Sequence, residues 1–251
     1  MQDSILVIGS MNMDLVVQTE TYPQKGETVV GSNFNQAPGG KGANQALAAG
    51  KLGGKVEFIG ACGQDNLGDK LLASLEAGGV NTDGVYRLEA STGIASITVE
   101  ADGDNRIIIV PGANGKLTPD LIAEYETKIK QAKLVLLQLE IPVKTVEYIV
   151  KLAAKHDTEV LLDPAPVKEL PTEIYQDIDY LLPNEGELNS LVPEGTGFEN
   201  RVEELLARGV DKVLLTRGEQ GVTLYSEGQT ANYPAVSVEP IDTTAAGDAF
   251  A

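Results

Sequence analysis

Short runs of almost wholly apolar residues recur along the chain, separated by longer stretches in which apolar positions return every three or four residues. The runs cover residues 5–9, 55–59, 133–138, 159–162, 180–182 and 212–216. A strand reads as continuously apolar only where both of its faces are covered. The pattern therefore predicts an α/β fold with a mostly parallel central sheet between two helical layers, a three-layer α/β/α arrangement. Between the runs, Thr118 is placed to cap a helix with Pro119 at its first position, and Leu121, Ile122, Tyr125 and Ile129 fall on one face. Pro142 opens another helix, whose inward positions are Val143, Val146, Ile149, Val150 and Ala153.

Two stretches break this rhythm and read as antiparallel strands. One pairs residues 15–18 with 28–31; the other pairs 93–100 with 106–110 across the turn Asp102-Gly103-Asp104-Asn105. They are expected to form one small sheet, a lid inserted at about 14–36 and 92–111 that stands over the carboxyl edge of the main sheet. The alternative is that they are ordinary edge strands of that sheet. A further hairpin is predicted from residues 221–225 and 229–233 around Glu227-Gly228. No internal repeat, low-complexity segment or long linker interrupts the pattern.

In open α/β sheets ligands gather beyond the carboxyl ends of the strands. Polar clusters follow the strands at Ser10-Met11-Asn12-Met13-Asp14, at Gln138-Leu139-Glu140 and at Asp163-Pro164-Ala165-Pro166. They recur at Pro183-Asn184-Glu185-Gly186-Glu187 and at Thr216-Arg217-Gly218-Glu219-Gln220-Gly221. Turn and capping chemistry accounts for any one of these and less comfortably for all five. Asn184 with Glu187 also has the spacing of a capping box. Two glycine-rich segments stand out, Pro38-Gly39-Gly40-Lys41-Gly42-Ala43-Asn44-Gln45-Ala46 and Asp242-Thr243-Thr244-Ala245-Ala246-Gly247-Asp248-Ala249-Phe250. The first lacks the hydroxyl residue that follows the lysine of a P-loop, and Gly9-Ser10-Met11-Asn12 is no dinucleotide fingerprint. The second reads as a loop opening onto a helix N-terminus, where unpaired N–H groups and the helix dipole can hold a phosphoryl group. Asp248 stands just beyond those donors and is the candidate base.

The composition of the 251 residues, 42% hydrophobic and 22% charged, suits one α/β domain with a small appendage. A net charge of −18 argues against nucleic-acid partners and anionic membrane surfaces, yet not against a nucleotide, which needs only local donors. The single cysteine, Cys62, makes no internal disulfide, reads as a buried small hydrophobe and points to a reducing cytoplasm. Met1-Gln2-Asp3-Ser4 carries no basic region of a leader, and no apolar run approaches the ~20 residues of a membrane span. The only histidine, His156, lies in polar Lys155-His156-Asp157 and is expected to be a solvated residue after a helix.

Taken in order, these segments make the chain resemble the PfkB-type carbohydrate kinases, and within them the ribokinase group, over essentially its whole length. The resemblance rests on Gly-Ser-Met-Asn-Met-Asp, Gly-Gly-Lys-Gly-Ala-Asn-Gln-Ala, Gln-Leu-Glu, Asp-Pro-Ala-Pro, Pro-Asn-Glu-Gly-Glu, Leu-Thr-Arg-Gly and Asp-Thr-Thr-Ala-Ala-Gly-Asp. It implies ATP-dependent transfer of a phosphoryl group to the 5-hydroxyl of D-ribose; another sugar or a nucleoside is the alternative acceptor. It also implies that Asn12, Asp14, Gly40, Lys41, Asn44 and Glu140 hold the sugar. Asp248 would take the hydroxyl proton, and the backbone N–H groups of Ala245, Ala246 and Gly247 would stabilise the transferring group. Asn184, Thr216, Gly218 and Gly221 would line the nucleotide, Glu187 would act on magnesium through its water shell, and Asp242 and Thr244 would belong to a potassium site. The family pattern further implies a homodimer formed through the lid strands. It also continues beyond Ala251 with segments that complete the adenine pocket, the potassium site and part of the sheet's cover. The expectation is thus either an active kinase or a folded fragment that binds sugar without catalysing.

Overall fold

The computed structural model describes residues 4–239 and 243–251. In chain order its strands are β1 (Ser4–Ile8), β2 (Asn12–Gln18), β3 (Asn33–Gly39), β4 (Lys55–Gly63), β5 (Asn81–Leu88), β6 (Gly93–Val99) and β7 (Asn105–Val110). They continue as β8 (Leu134–Leu137), β9 (Glu159–Leu162), β10 (Tyr180–Leu181), β11 (Lys212–Thr216), β12 (Val222–Ser226) and β13 (Gln229–Tyr233). The helices are α1 (Lys41–Lys51), α2 (Asn66–Ala77), α3 (Pro119–Ala123), α4 (Glu126–Gln131), α5 (Val143–Lys155), α6 (Glu185–Leu191), α7 (Gly197–Ala207) and α8 (Ala246–Phe250).

The nine-stranded main sheet has the order β13-β12-β11-β10-β9-β8-β1-β4-β5. From β11 to β5 every neighbouring pair is parallel, and β12 and β13 close one edge as an antiparallel hairpin. Alternation along each strand sends side chains to two cores. Leu6, Ile8, Val135, Leu137, Val160 and Leu162 join Ile122, Ile129, Val146, Ile149 and Val150 of α3, α4 and α5 on one face. Val7, Leu136 and Leu161 meet Ala43, Ala46, Leu71 and Leu75 of α1 and α2 on the other. No helix of the described residues is long and apolar enough to cross a membrane.

The second sheet is the expected lid, four strands in the order β3-β2-β6-β7. The β6–β7 hairpin falls where the sequence places it, and β2 joins it to the site by running parallel to β6. The strand expected at 28–31 does not form. The partner of β2 is instead Asn33–Gly39, which pairs from Asn12↔Gly39 to Gln18↔Asn33. Residues 15–18 need an antiparallel neighbour, and the later segment supplies it while ending at the start of α1. The helix expected from Pro119 is interrupted at Glu124-Tyr125 and continues as α4. Its inward residues still hold, with Ile122 and Ile129 fully buried. His156 is not freely solvated: at the end of α5 its ring Nε2 meets Glu126 Oε1 at 2.7 Å. Cys62 is buried, as expected of a small hydrophobe. Burial first, then the nearby Asp65 and Asp69 against Arg87, pushes its thiol pKa up to about 11, so it stays a neutral thiol.

Candidate functional site

The strand order reverses between β8 and β1, since β4 and β5 lie on one side of β1 and all later strands of the main sheet on the other. At such a switch point the loops leaving adjacent strands diverge and open a crevice beyond their carboxyl ends. The Ser10–Asp14 cluster leaves β1 at this point, and Glu140 leaves β8 beside it. They meet directly: Ser10 Oγ donates to Glu140 Oε2 at 2.5 Å and Asn12 Nδ2 reaches the same oxygen at 3.4 Å. The backbone N–H of Lys41, the first residue of α1, donates to it at 3.0 Å. Glu140 therefore satisfies an orphan donor at a helix N-terminus, where negative charge is favoured.

Glycine makes this approach possible. Gly40 precedes α1 with φ 93°, in the left-handed region that favours glycine. A Cβ there would lie 2.7 Å from the Asn12 nitrogen. A Cβ at Gly42 would meet the backbone of Ser10 and Gly9 at 2.7–2.8 Å. Helix α1 is thus pressed onto the β1 exit, and Lys41 and Asn44 project from its first turn toward α8.

On α8, Asp248 is buried and accepts two side-chain bonds, from Asn44 Nδ2 at 2.8 Å and from Lys41 Nζ at 3.3 Å. Asp163, at the exit of β9, stands on the other side of the same ammonium, 3.9 Å away. Its second support is Gln45, whose Nε2 donates at 2.8 Å, while Gln45 in turn accepts from Gln138. Burial opposes the charge of Lys41, but the carboxylates of Asp163, Asp248 and Glu140 outweigh it and raise its pKa, so it stays a cation. One ammonium among several buried carboxylates leaves a negative excess. Burial, then Glu187 and Asp248 against Lys41 and Gln45, pushes Asp163 up to about 7. Burial and the neighbouring Glu140 push Asp14 up to about 6.

A cavity of about 250 Å³ opens from this cluster. It is lined by Lys41, Asp163 and Asp248, by Asn184, Glu187 and Thr216, and by Thr243 and residues 245–247. Asn184 caps α6 through a reciprocal capping box with Glu187, both bonds 2.8 Å long. The capping and the cavity-lining roles expected of this pair are therefore compatible. Ala245 turns into α8 with φ 58°, a left-handed conformation uncommon for alanine. Of the expected backbone donors, Ala246 N–H is committed to Thr243 O at 3.2 Å. The amides of Gly247 and Asp248 lie in the first turn of α8 and have no intrahelical acceptor.

The structure thus brings Asn12, Lys41, Asn44, Glu140 and Asp248 together, sets Asn184, Glu187 and Thr216 in the same cavity wall as Lys41 and Asp248, and hangs Asp14 from the lid beside Glu140. Of the residues expected to hold the sugar or take its proton, Lys41 and Asp248 line the cavity, whereas Asn12, Asp14, Gly40, Asn44 and Glu140 lie outside its wall, as do Gly218 and Gly221. Gly221, at φ 87°, packs instead on the end of β13, where a Cβ would meet Tyr233 O and Ala235 N. Thr244 also lies outside the wall, and Asp242 lies outside the described residues. Sequence reasoning missed two contributors. Asp163 was visible only as one of several strand-end clusters, and Asn114 had no signal beyond the turn-like Gly112-Ala113-Asn114-Gly115.

The chain is 41% identical to a ribokinase of Bacillus subtilis (strain 168), over 98% of this chain and 83% of that protein. It is 38% identical to a deoxyribokinase of Salmonella typhi, over 98% of this chain and 82% of that one. Its fold superposes on the crystal structure of an Arabidopsis thaliana ribokinase complexed with ribose and ATP with a TM-score of 0.93 and 34% identity. That match covers 100% of this chain and 84% of the other. The model of the pfkB family carbohydrate kinases matches residues 2–251. With the sheet, the lid and the cluster around Asp248 in place, the chain belongs to the pfkB family of carbohydrate kinases.

Proposed function

We propose that this protein transfers the γ-phosphoryl group of ATP to the 5-hydroxyl of D-ribose, giving ribose 5-phosphate and ADP. The observation that carries the reading is the position of Asp248: buried, held by Lys41 and Asn44, and bordering a cavity that Asn184, Glu187 and Thr216 also line. A sugar set between the lid and the β1 exit would meet Asp14 and Glu140 as acceptors, and Asn12, Lys41 and Asn44 as donors. Gly40 lets the backbone approach it. Acceptors and donors in this mixture suit vicinal hydroxyls, and an analogue without a hydroxyl would leave buried groups unpaired.

In the transfer, the 5-oxygen forms a bond to the γ-phosphorus as the bond from that phosphorus to the β–γ bridging oxygen breaks. The hydroxyl proton passes to Asp248. The transition state is loose, so positioning and electrostatics supply most of the acceleration. The Gly247 amide at the head of α8, with Ala245 and Ala246 around it, would stabilise charge on the phosphoryl oxygens. Lys41 is close enough to serve either the sugar or the developing charge.

Magnesium would arrive on the nucleotide phosphates and supply charge neutralisation there. Glu187 fits a water-mediated role, because its Oε2 is committed to the cap of α6 and its other oxygen is left over. A potassium site involving Asp242 and Thr244 and a cytoplasmic location, suited to the lone buried thiol, complete the proposal. The protein would act as a homodimer through its lid. The Salmonella deoxyribokinase favours 2-deoxyribose as a second acceptor. The test is ADP release with ATP, magnesium and potassium, on ribose, 2-deoxyribose and a nucleoside panel. Ribose-dependent release supports the proposal; release with another acceptor alone reassigns the substrate. Tight ribose binding without release marks a sugar-binding protein.

A further inference from the structure

Asn114 stands in the short 3-10 turn Gly112–Lys116, just after the last lid strand, and is buried. Its side-chain amide grips the backbone of Met11 with both ends. The Met11 N–H donates to Asn114 Oδ1 at 3.0 Å, and Asn114 Nδ2 donates to Met11 O at 3.0 Å. A backbone N–H can only donate, so it decides which end of Asn114 is oxygen. The opposite end is then NH2, and it donates to Asn12 Oδ1 at 2.8 Å. With its oxygen committed, Asn12 turns its own NH2 toward Glu140 Oε2, 3.4 Å away. Donation runs one way along the whole chain, from Met11 through Asn114 and Asn12 to Glu140.

A second observation points to the same bond. Gly93 opens lid strand β6 directly opposite Asn12. A Cβ at Gly93 would lie 2.3 Å from both Asn114 Nδ2 and Asn12 Oδ1. The lid passes over the Asn12–Asn114 hydrogen bond with room for a hydrogen atom and nothing larger.

We propose that Asn114 is a positioning residue for sugar recognition, locking the Asn12 amide so that it presents N–H, never oxygen, to the bound sugar, with Gly93 leaving space for the lock. The inference rests on the reading of Asn12 as a sugar contact. An amide presents two faces of nearly equal shape and opposite polarity. Glu140 favours the same orientation only through a long 3.4 Å contact; without the Asn114 bond the Asn12 oxygen is no longer held, and a flipped amide would offer an acceptor where the site needs a donor.

The test is a double-substitution cycle read by calorimetric ribose binding. Asn114→Asp removes the NH2 but keeps the shape and the acceptor for Met11; it is expected to weaken ribose about 10- to 100-fold and leave nucleotide affinity within about twofold. In an Asn12→Ala background the same substitution should change ribose affinity by less than about twofold, because the residue it acts through is gone. Losses that multiply in the double variant, or equal losses for ribose and nucleotide, overturn the proposal. Gly93→Ala should reproduce the ribose defect, and Asn114→Thr serves if the buried carboxyl prevents folding. Neutron diffraction from sugar-free crystals of the full chain reads the amide directly. The expected result is Asn12 NH2 facing Glu140 in the parent and turned toward position 114 in Asn114→Asp. Asn12 oxygen facing Glu140 in the parent also overturns the proposal. A parent that binds no ribose defeats the functional reading instead, and the neutron result still decides the lock.

Discussion

Asp248 is surrounded by donors before any sugar arrives, and those donors are the ones assigned to the sugar. On the proposed reading, substrate entry would exchange partners, with Lys41 and Asn44, which hold Asp248 here, turning in part to the sugar hydroxyls. Asp248→Asn keeps the shape and a hydrogen-bonding oxygen for Asn44 but cannot take a proton. We expect kcat to fall about 10²- to 10⁴-fold with ribose affinity changed only a few-fold, measured by ADP release and calorimetry. Loss of ribose binding together with turnover would mean that Asp248 is a sugar anchor and not the base. Asp163 makes a different prediction, one about stability. Its pKa rises from 3.8 unfolded to about 7 folded, chiefly by burial. The folded state thus holds the proton over that window, and ionising Asp163 costs stability as pH climbs through it. Asp163→Asn stays neutral at every pH. Its stability relative to the parent should rise from about pH 4 to pH 7 and level off above, in urea melts across that range; a constant difference would show that Lys41 fully compensates the charge.

At the scale of elements, the site depends on how closely α1 sits on the exit of β1. Gly42 faces that contact, and its missing Cβ lets the helix approach the backbone of Gly9 and Ser10. Gly42→Ala would put a methyl group against backbone atoms that cannot yield. A stability loss of about 1–3 kcal/mol is expected, with a higher ribose KM as Lys41 and Asn44 shift; unchanged stability by denaturant melt would show that the helix can slide outward. The parallel strands and α5 were legible from sequence because burial on both faces leaves an unbroken apolar run, and a one-sided helix leaves a periodic one. Strand β3 was not legible. Asn33-Phe34-Asn35-Gln36-Ala37-Pro38-Gly39 has little intrinsic β-propensity and contains proline, and it becomes a strand only because β2 offers an open edge. Strand β5 was hidden by Asn81-Thr82-Asp83-Gly84, which reads as a turn yet pairs with β4 across an irregular register between Glu57 and Ile59. The site followed the same division. Polar residues after strands at the sheet's reversal were visible, whereas Asn114 acts through a contact 102 positions away that no local pattern reveals.

The whole molecule presents an imbalance that one more chain would remove. Pairing across the lid places Asp14, Ala37, Ala95 and Ile109 on one face, with Val16, Asn35, Ile97 and Ile107 in the next row. The opposite face is anchored to the body only near the β2 start, where Met13 is buried and Leu15 and Ile94 pack on the core, while Val17 and Phe34 farther out are exposed. On the face bearing Asp14, Ala95 is buried but Ile107 and Ile109 on β7 are 52% and 49% exposed, and Ile108 and Val110 of the same strand are exposed on the other face. β7 is also an outer strand of its sheet, with a free row of backbone donors and acceptors. Exposed apolar side chains beside an open edge favour association with a like surface, and a two-fold pairing of lids would cover both at once. A mass near twice 26.5 kDa is expected by light scattering at micromolar concentration. Ile107→Lys with Ile109→Lys should bring it to the single-chain value without lowering the melting temperature of the main sheet. Because Asp14 hangs from the same face, the monomeric variant should also bind ribose more weakly, its sugar site being open to water on the side the partner lid had closed. A parent protein that is already monomeric at that concentration, with full ribose affinity, would show that the lid closes on its own body instead.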